Sequence, residues 1–196
     1  MRYKNWLTIA GLIFYTTTWA NDQNIPMVVG PCITCHGIAG SSVGPAMPTI
    51  AGREKEGFIE IMEAYRDNER FSTVMGRLAK GYTDADFKIM ADYFCQQPIV
   101  HYPQKVDVAK VEKGRKLHNK YCEICHEEGG CEDSEGYNLF TGQRMTYLQY
   151  NLADFLNGNR EMPKRMEKYL LKMMKEQGEE SLDDLVHFYG SQKPVK

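Results

Sequence analysis

Two five-residue strings carry the chemistry of this sequence: Cys32-Ile33-Thr34-Cys35-His36 and Cys122-Glu123-Ile124-Cys125-His126. Both read C-x-x-C-H. Two thiols three positions apart lie on one helical turn, where each can add to a vinyl group of a haem. The adjacent imidazole is then held beneath the iron. One C-x-x-C alone says little, because redox dithiols and zinc sites share it. Zinc ribbons pair such motifs about 15–20 residues apart, whereas these lie 90 apart with no other ligand cluster beside them. A thioredoxin-like dithiol belongs to a βαβ pattern, which the chain does not show. The motifs predict two covalent haem c groups, anchored at Cys32, Cys35, Cys122 and Cys125, with His36 and His126 as proximal iron ligands.

Each iron then has one further axial position. The chain has eleven methionines, most of them expected to fill irregular gaps in a core. Met62 and Met90 fall on apolar helix faces and read as core. Met75 sits in the connection before a closing helix, where a loop can bring its sulfur over the opposite haem face, and Gly76 beside it permits close backbone approach. An offset of 90 from Met75 lands on Arg165, so Met166 is the expected ligand of the second iron, with Met162 as the alternative. His101, His118 and His187 compete for these positions but have no histidine counterparts in the first half, and read as surface or packing residues. A thioether ligand favours ferrous iron and raises the potential. A filled sixth position points to electron transfer and away from oxygen or peroxide chemistry.

The elements that position these residues repeat at the same offset. It pairs Gly40 with Gly130, Gly52 with Gly142, and Arg70 with Arg160. It also aligns the apolar helical stretch Phe58–Tyr65 with Leu148–Phe155. Each half closes with another such stretch: Phe87, Met90, Tyr93, Phe94 and Leu182, Leu185, Phe188, Tyr189. One unit has been duplicated, with a boundary in the Pro-containing segment Pro98–Lys105. The expected fold class is all-α: two tandem cytochrome c-like lobes, residues 21–100 and 101–196, each wrapped around one haem. An unaided core of 80–90 residues is marginal, and a tethered haem completes it. On the proximal side, Gly44-Pro45 follows His36 at a spacing where Pro45 can offer its carbonyl to the ring, whereas the second half has Ser134-Glu135-Gly136. The two haems are therefore expected to differ in potential. Cys95 and Cys131 lie outside the motifs and are either a disulfide joining the lobes or two separate thiols.

Arg2 and Lys4 precede an apolar stretch from Trp6 to Tyr15, and Thr18-Trp19-Ala20 ends in a small residue. That pattern predicts a secretory signal peptide, residues 1–20, and a periplasmic chain. Ten apolar residues cannot cross a bilayer, which needs about 20, so no membrane insertion is expected. Removing Arg2 and Lys4 leaves 22 basic against 26 acidic residues, interspersed along the chain. That balance removes the electrostatic case for nucleic-acid binding. No G-x-G-x-x-G follows a strand pattern, so no dinucleotide site is expected, and no nucleophile–base pair stands out.

Two C-x-x-C-H lobes with a methionine on a late loop resemble the dihaem cytochrome c4 group. Longer strings narrow the likeness. Gly40-Ser41-Ser42-Val43-Gly44-Pro45, Met75-Gly76-Arg77-Leu78-Ala79-Lys80-Gly81-Tyr82, Lys116-Leu117-His118-Asn119-Lys120-Tyr121-Cys122 and Tyr147-Leu148-Gln149-Tyr150 resemble the dihaem cytochrome subunits of flavocytochrome c sulfide dehydrogenases. The resemblance implies a separate FAD-containing sulfide dehydrogenase subunit as partner in a heterodimer. Electrons from sulfide would pass from that flavin through the haems to a soluble cytochrome c acceptor, with no catalytic residue in this chain. A free-standing c4-like carrier between respiratory complexes is the alternative. A dihaem peroxidase would need a five-coordinate iron, which the two methionines disfavour.

Overall fold

The computed structural model describes residues 25–130 and 140–193. Residues 1–24, Cys131 and the Ser134–Gly136 segment lie outside the described residues, so the expected signal peptide and its cleavage site, the Cys95–Cys131 alternatives and the second proximal segment are not placed. Among the described residues the secondary structure is helical, with no strand.

A 3-10 turn, Met27–Val29, opens the first lobe and leads into α1, Gly30–His36. Three further helices follow: α2, Lys55–Arg66; α3, Met75–Ala79; and α4, Asp84–Phe94. Local chemistry fixes their starts. The Glu54 carboxylate accepts from the Glu56 N–H at 2.9 Å and the Gly57 N–H at 2.6 Å. Thr83 and Asp86 form a reciprocal capping box at α4. Each satisfies backbone donors that a helix start leaves open. The apolar faces of α2 and α4 meet over Phe58, Met62, Phe87, Met90 and Phe94. Met62 and Met90 are core residues here, at 7% and 0% exposure.

The second lobe comprises α5, Val108–Tyr121; α6, Glu127–Gly130; α7, Met145–Leu156; α8, Lys164–Gln177; and α9, Ser181–Ser191. Asp107 caps α5 through the Ala109 N–H at 2.8 Å. The His187 Nδ1, on α9, accepts from the Asp107 N–H at 3.0 Å. Helix α5 packs along α9, and α7 and α8 also lean on α9. The α5–α9 contact is close because residue 114 is glycine. A Cβ there would lie 2.1 Å from the Asp184 carbonyl oxygen and 2.6 Å from the Phe188 Cβ. Backbone cannot yield as a side chain can, so Gly114→Ala will cost more than the ordinary overpacking penalty of about 1–3 kcal/mol. The expected result is loss of the second lobe's cooperative melting transition, read by circular dichroism.

The duplication is written in the backbone. Gly40 and Gly130 have φ of 76° and 88°, Gly52 and Gly142 of 65° and 69°, and Asn68 and Gly158 of 63° and 70°. The Ile50 N–H donates to the Gly40 carbonyl at 2.7 Å, and the Phe140 N–H to the Gly130 carbonyl at 3.1 Å. Arg70 lies over the Tyr65 ring at 5.3 Å, and Arg160 over the Phe155 ring at 4.3 Å. Every member of these pairs is displaced by 90 positions. The left-handed conformation explains why glycine, or asparagine at 68, recurs there.

Candidate haem centres

Helix α1 presents Cys32, Cys35 and His36 within seven residues, with Pro31 in its first turn. Gly37 ends it at φ 82°. A Cβ at Gly37 would lie 2.5 Å from the Ser41 carbonyl oxygen, so the chain can reverse there only without a side chain. His36 is 6% exposed, and its Nδ1–H donates to the Pro48 carbonyl at 2.8 Å. A carbonyl can only accept, so the proton is on Nδ1 and the Nε2 lone pair is left for a metal. Burial holds the imidazole pKa below its ordinary value, which keeps the ring in its neutral, ligating form.

The carbonyl beside His36 is that of Pro48, not the expected Pro45. The loop from Gly40 closes on itself, with the Ile50 and Ala51 N–H groups both donating to the Gly40 carbonyl at 2.7 and 3.1 Å. That closure returns residue 48 to the ring and carries Pro45 out to a groove beside Pro103 and Gln104.

Met75 begins α3 and packs with Cys32 and Ile33 against the first core. The Gly76 N–H donates to the Ser72 Oγ at 2.6 Å, fixing this turn. Phe71, Val74 and Leu78 flank Met75 and show apolar side chains at the surface. A thioether amid such residues suits a large flat apolar group.

In the second lobe Cys122 caps the end of α5, and the His126 N–H donates to the Cys122 carbonyl at 2.9 Å. The Phe140 ring meets His126 edge-on at 4.8 Å. Met162 packs against the second core together with Cys122, Met174 and Tyr189. Met166, in the first turn of α8, is half-buried and lies outside that cluster. Burial pushes the Cys122 thiol up to about 11, and raises Cys32 as well. A redox dithiol needs a lowered thiol pKa, and Cys32 and Cys122, the first thiol of each motif, show the opposite. Among the described residues no group of three or more His, Cys, Asp or Glu is arranged to hold a metal ion, as a zinc site would require. The donor sets fit haem c, which supplies a one-electron iron couple when bound.

Sequence reasoning did not single out the network behind Cys122. His118 is fully buried; its Nδ1 accepts from the Tyr189 hydroxyl at 2.9 Å, and its Nε2–H donates to Glu123. Burial outweighs the Glu123 carboxylate and lowers the His118 pKa from 6.5. On acidification below 6.5 the unfolded chain therefore takes up this proton first. The stability from neutral His118 is complete above that pH and is lost as the pH falls toward the folded value. His118→Gln will flatten the pH dependence of melting below pH 6.5, measured by thermal denaturation.

No protein-family model matches the chain. It is 30% identical over 136 residues to cytochrome c4 of Pseudomonas aeruginosa, covering 66% of this chain and 68% of that protein. It is 27% identical over 146 residues to cytochrome c-552 of Acidithiobacillus ferridurans, where 68% of this chain spans 63% of the relative's length. A shorter stretch of 63 residues, 32% of this chain and 56% of the relative, is 40% identical to the cytochrome subunit of sulfide dehydrogenase from Chlorobaculum tepidum. The fold superimposes on reduced recombinant cytochrome c4 from Pseudomonas stutzeri with a TM-score of 0.71, covering 84% of this chain and 95% of that one at 21% identity. Paired C-x-x-C-H motifs, a helical two-lobe fold and these likenesses agree: the chain belongs to the cytochrome c4 family of dihaem electron-transfer proteins.

Proposed function

We propose that this chain is the dihaem subunit of a sulfide-oxidising flavoenzyme, taking electrons from an FAD-containing partner subunit and passing them to a soluble periplasmic cytochrome. The observation that carries this reading is the 40% identity to the Chlorobaculum tepidum subunit, higher than the 30% to cytochrome c4 of Pseudomonas aeruginosa. The proposed mature chain begins after residue 20, with lobes over 21–100 and 101–196. Cys32 and Cys35 anchor the first haem, with His36 and Met75 on its iron. Cys122 and Cys125 anchor the second, with His126 on its iron. Met166, one residue from the repeat position of Met75, is the proposed remaining ligand, and packing beside Cys122 supports Met162. Met162→Ala and Met166→Ala separate them: the ligand's variant alone will lose the second haem's share of the weak near-infrared methionine–iron band.

A free-standing carrier of the c4 kind is the second reading, supported by the longer match to the Pseudomonas aeruginosa protein. Co-expression with an FAD-containing sulfide dehydrogenase subunit tests the two. The subunit reading predicts a yellow complex whose haems are reduced on adding sulfide. A stable haem-only protein that gains no sulfide-dependent reduction when the flavoprotein is added would overturn it.

A further inference from the structure

One peptide unit in this molecule is held from both lobes at once. The Pro48 carbonyl accepts from the His36 Nδ1–H at 2.8 Å. The N–H of the same peptide, that of Thr49, donates to the Gln143 Oε1 at 3.0 Å. The Gln143 Nε2–H then donates to the Thr49 carbonyl at 2.7 Å. Gln143 is 1% exposed and Thr49 6%. Gln143 belongs to the second lobe, two residues before α7, and Gln104 steadies its backbone by donating to its carbonyl at 2.8 Å.

A side-chain amide that pairs with both polar groups of one residue fixes the peptide planes on either side. The Pro48–Thr49 plane has its N–H engaged by Gln143 and its carbonyl by His36. Hydrogen bonding at one end of an amide polarises it and strengthens bonding at the other. A stronger acceptor at Nδ1–H makes an imidazole a better donor at Nε2, which favours ferric iron. We infer that Gln143 is a positioning residue by which the second lobe sets the potential of the first haem, acting through the Pro48–Thr49 peptide on His36. The inference rests on His36 as an iron ligand, as proposed above. The residue 90 positions before Gln143 is Arg53, whose side chain has no acceptor atom, so this pairing is not duplicated across the repeat.

The test uses the full dihaem protein. Gln143→Leu and Gln143→Met remove both hydrogen bonds while keeping an apolar side chain of similar bulk. Each will shift the first haem's ferric–ferrous equilibrium toward ferrous by roughly tenfold, about 59 mV for a one-electron couple. The second haem will keep its potential. Ser41→Ala is the control: it removes the acceptor of the Val100 N–H, a 2.9 Å tether to the inter-lobe segment, without touching the Pro48–Thr49 peptide. No shift, equal shifts at both haems, or the same shift from Ser41→Ala would overturn the inference. Should neither variant fold, hydrogen exchange in the wild type decides. Coupling is reciprocal, so the Thr49 amide will exchange several-fold differently in the ferric and ferrous states, and equal rates would overturn the inference. A wild-type protein with no haem at His36 would instead remove the ligation on which it rests.

Discussion

Replacing Cys32 and Cys35 together by serine will halve the haem content, from two per chain to one, and will unfold the first lobe while leaving the second intact. The described part of that lobe is a set of short helices around Phe58, Phe87, Met90 and Phe94. A domain of this size is worth about 0.05–0.15 kcal/mol per residue, about 4–12 kcal/mol for some 80 residues. Phe71, Val74 and Leu78 are each close to half exposed, at 48%, 45% and 49%. Covering what remains of three such side chains is worth about 1 kcal/mol each, a quarter or more of that total. The substitutions therefore remove both the cofactor and the apolar plate that completes the core. Pyridine haemochrome assay with protein quantitation reads the first effect, and loss of about two-fifths of the helical circular dichroism signal reads the second. Cys122→Ser with Cys125→Ser will do the same to the second lobe. Retention of two covalent haems in either double variant contradicts the assignment.

Met75→Ala will lower the first haem's potential and abolish its near-infrared methionine–iron band. The expected fall is on the order of 0.1 V, set against the roughly 0.8 V over which axial ligands move haem potentials. The direction follows from the ligand: a thioether stabilises ferrous iron, and water or hydroxide in its place does not. A packing residue would behave otherwise. Met62→Ala, which empties a site 7% exposed in the core, will destabilise the lobe by about 2–5 kcal/mol and leave the band in place. The pair of variants separates ligand from filler. An unchanged band in Met75→Ala contradicts the ligand assignment.

The main lines of the fold were legible because duplication leaves a double trace. A displacement of 90 recurs in the motifs, in the glycines that need positive φ and in the Arg70–Tyr65 and Arg160–Phe155 pairs. Met62 and Met90 read as core from helical spacing, since burial follows periodicity. The proximal carbonyl was misread because Pro45 and Pro48 both lie within reach by count. Only the closure of the loop on the Gly40 carbonyl decides between them. Gln143 carried no signal at all: a single glutamine between two helical stretches looks like any surface residue. Its burial and its pairing with Thr49, 94 positions away, exist only once the lobes meet. His118 is similar, because full burial behind Cys122 comes from α9 folding over α5 and not from its own neighbours in sequence.

Both C-x-x-C-H motifs are assigned covalent haem. Intact mass spectrometry of the purified protein, denatured, alkylated and compared with its polypeptide mass, tests that assignment directly. The expected mass is that of the polypeptide plus two haems, with Cys32, Cys35, Cys122 and Cys125 resistant to alkylation. A chain without haem mass, in which those four thiols react freely, would contradict it.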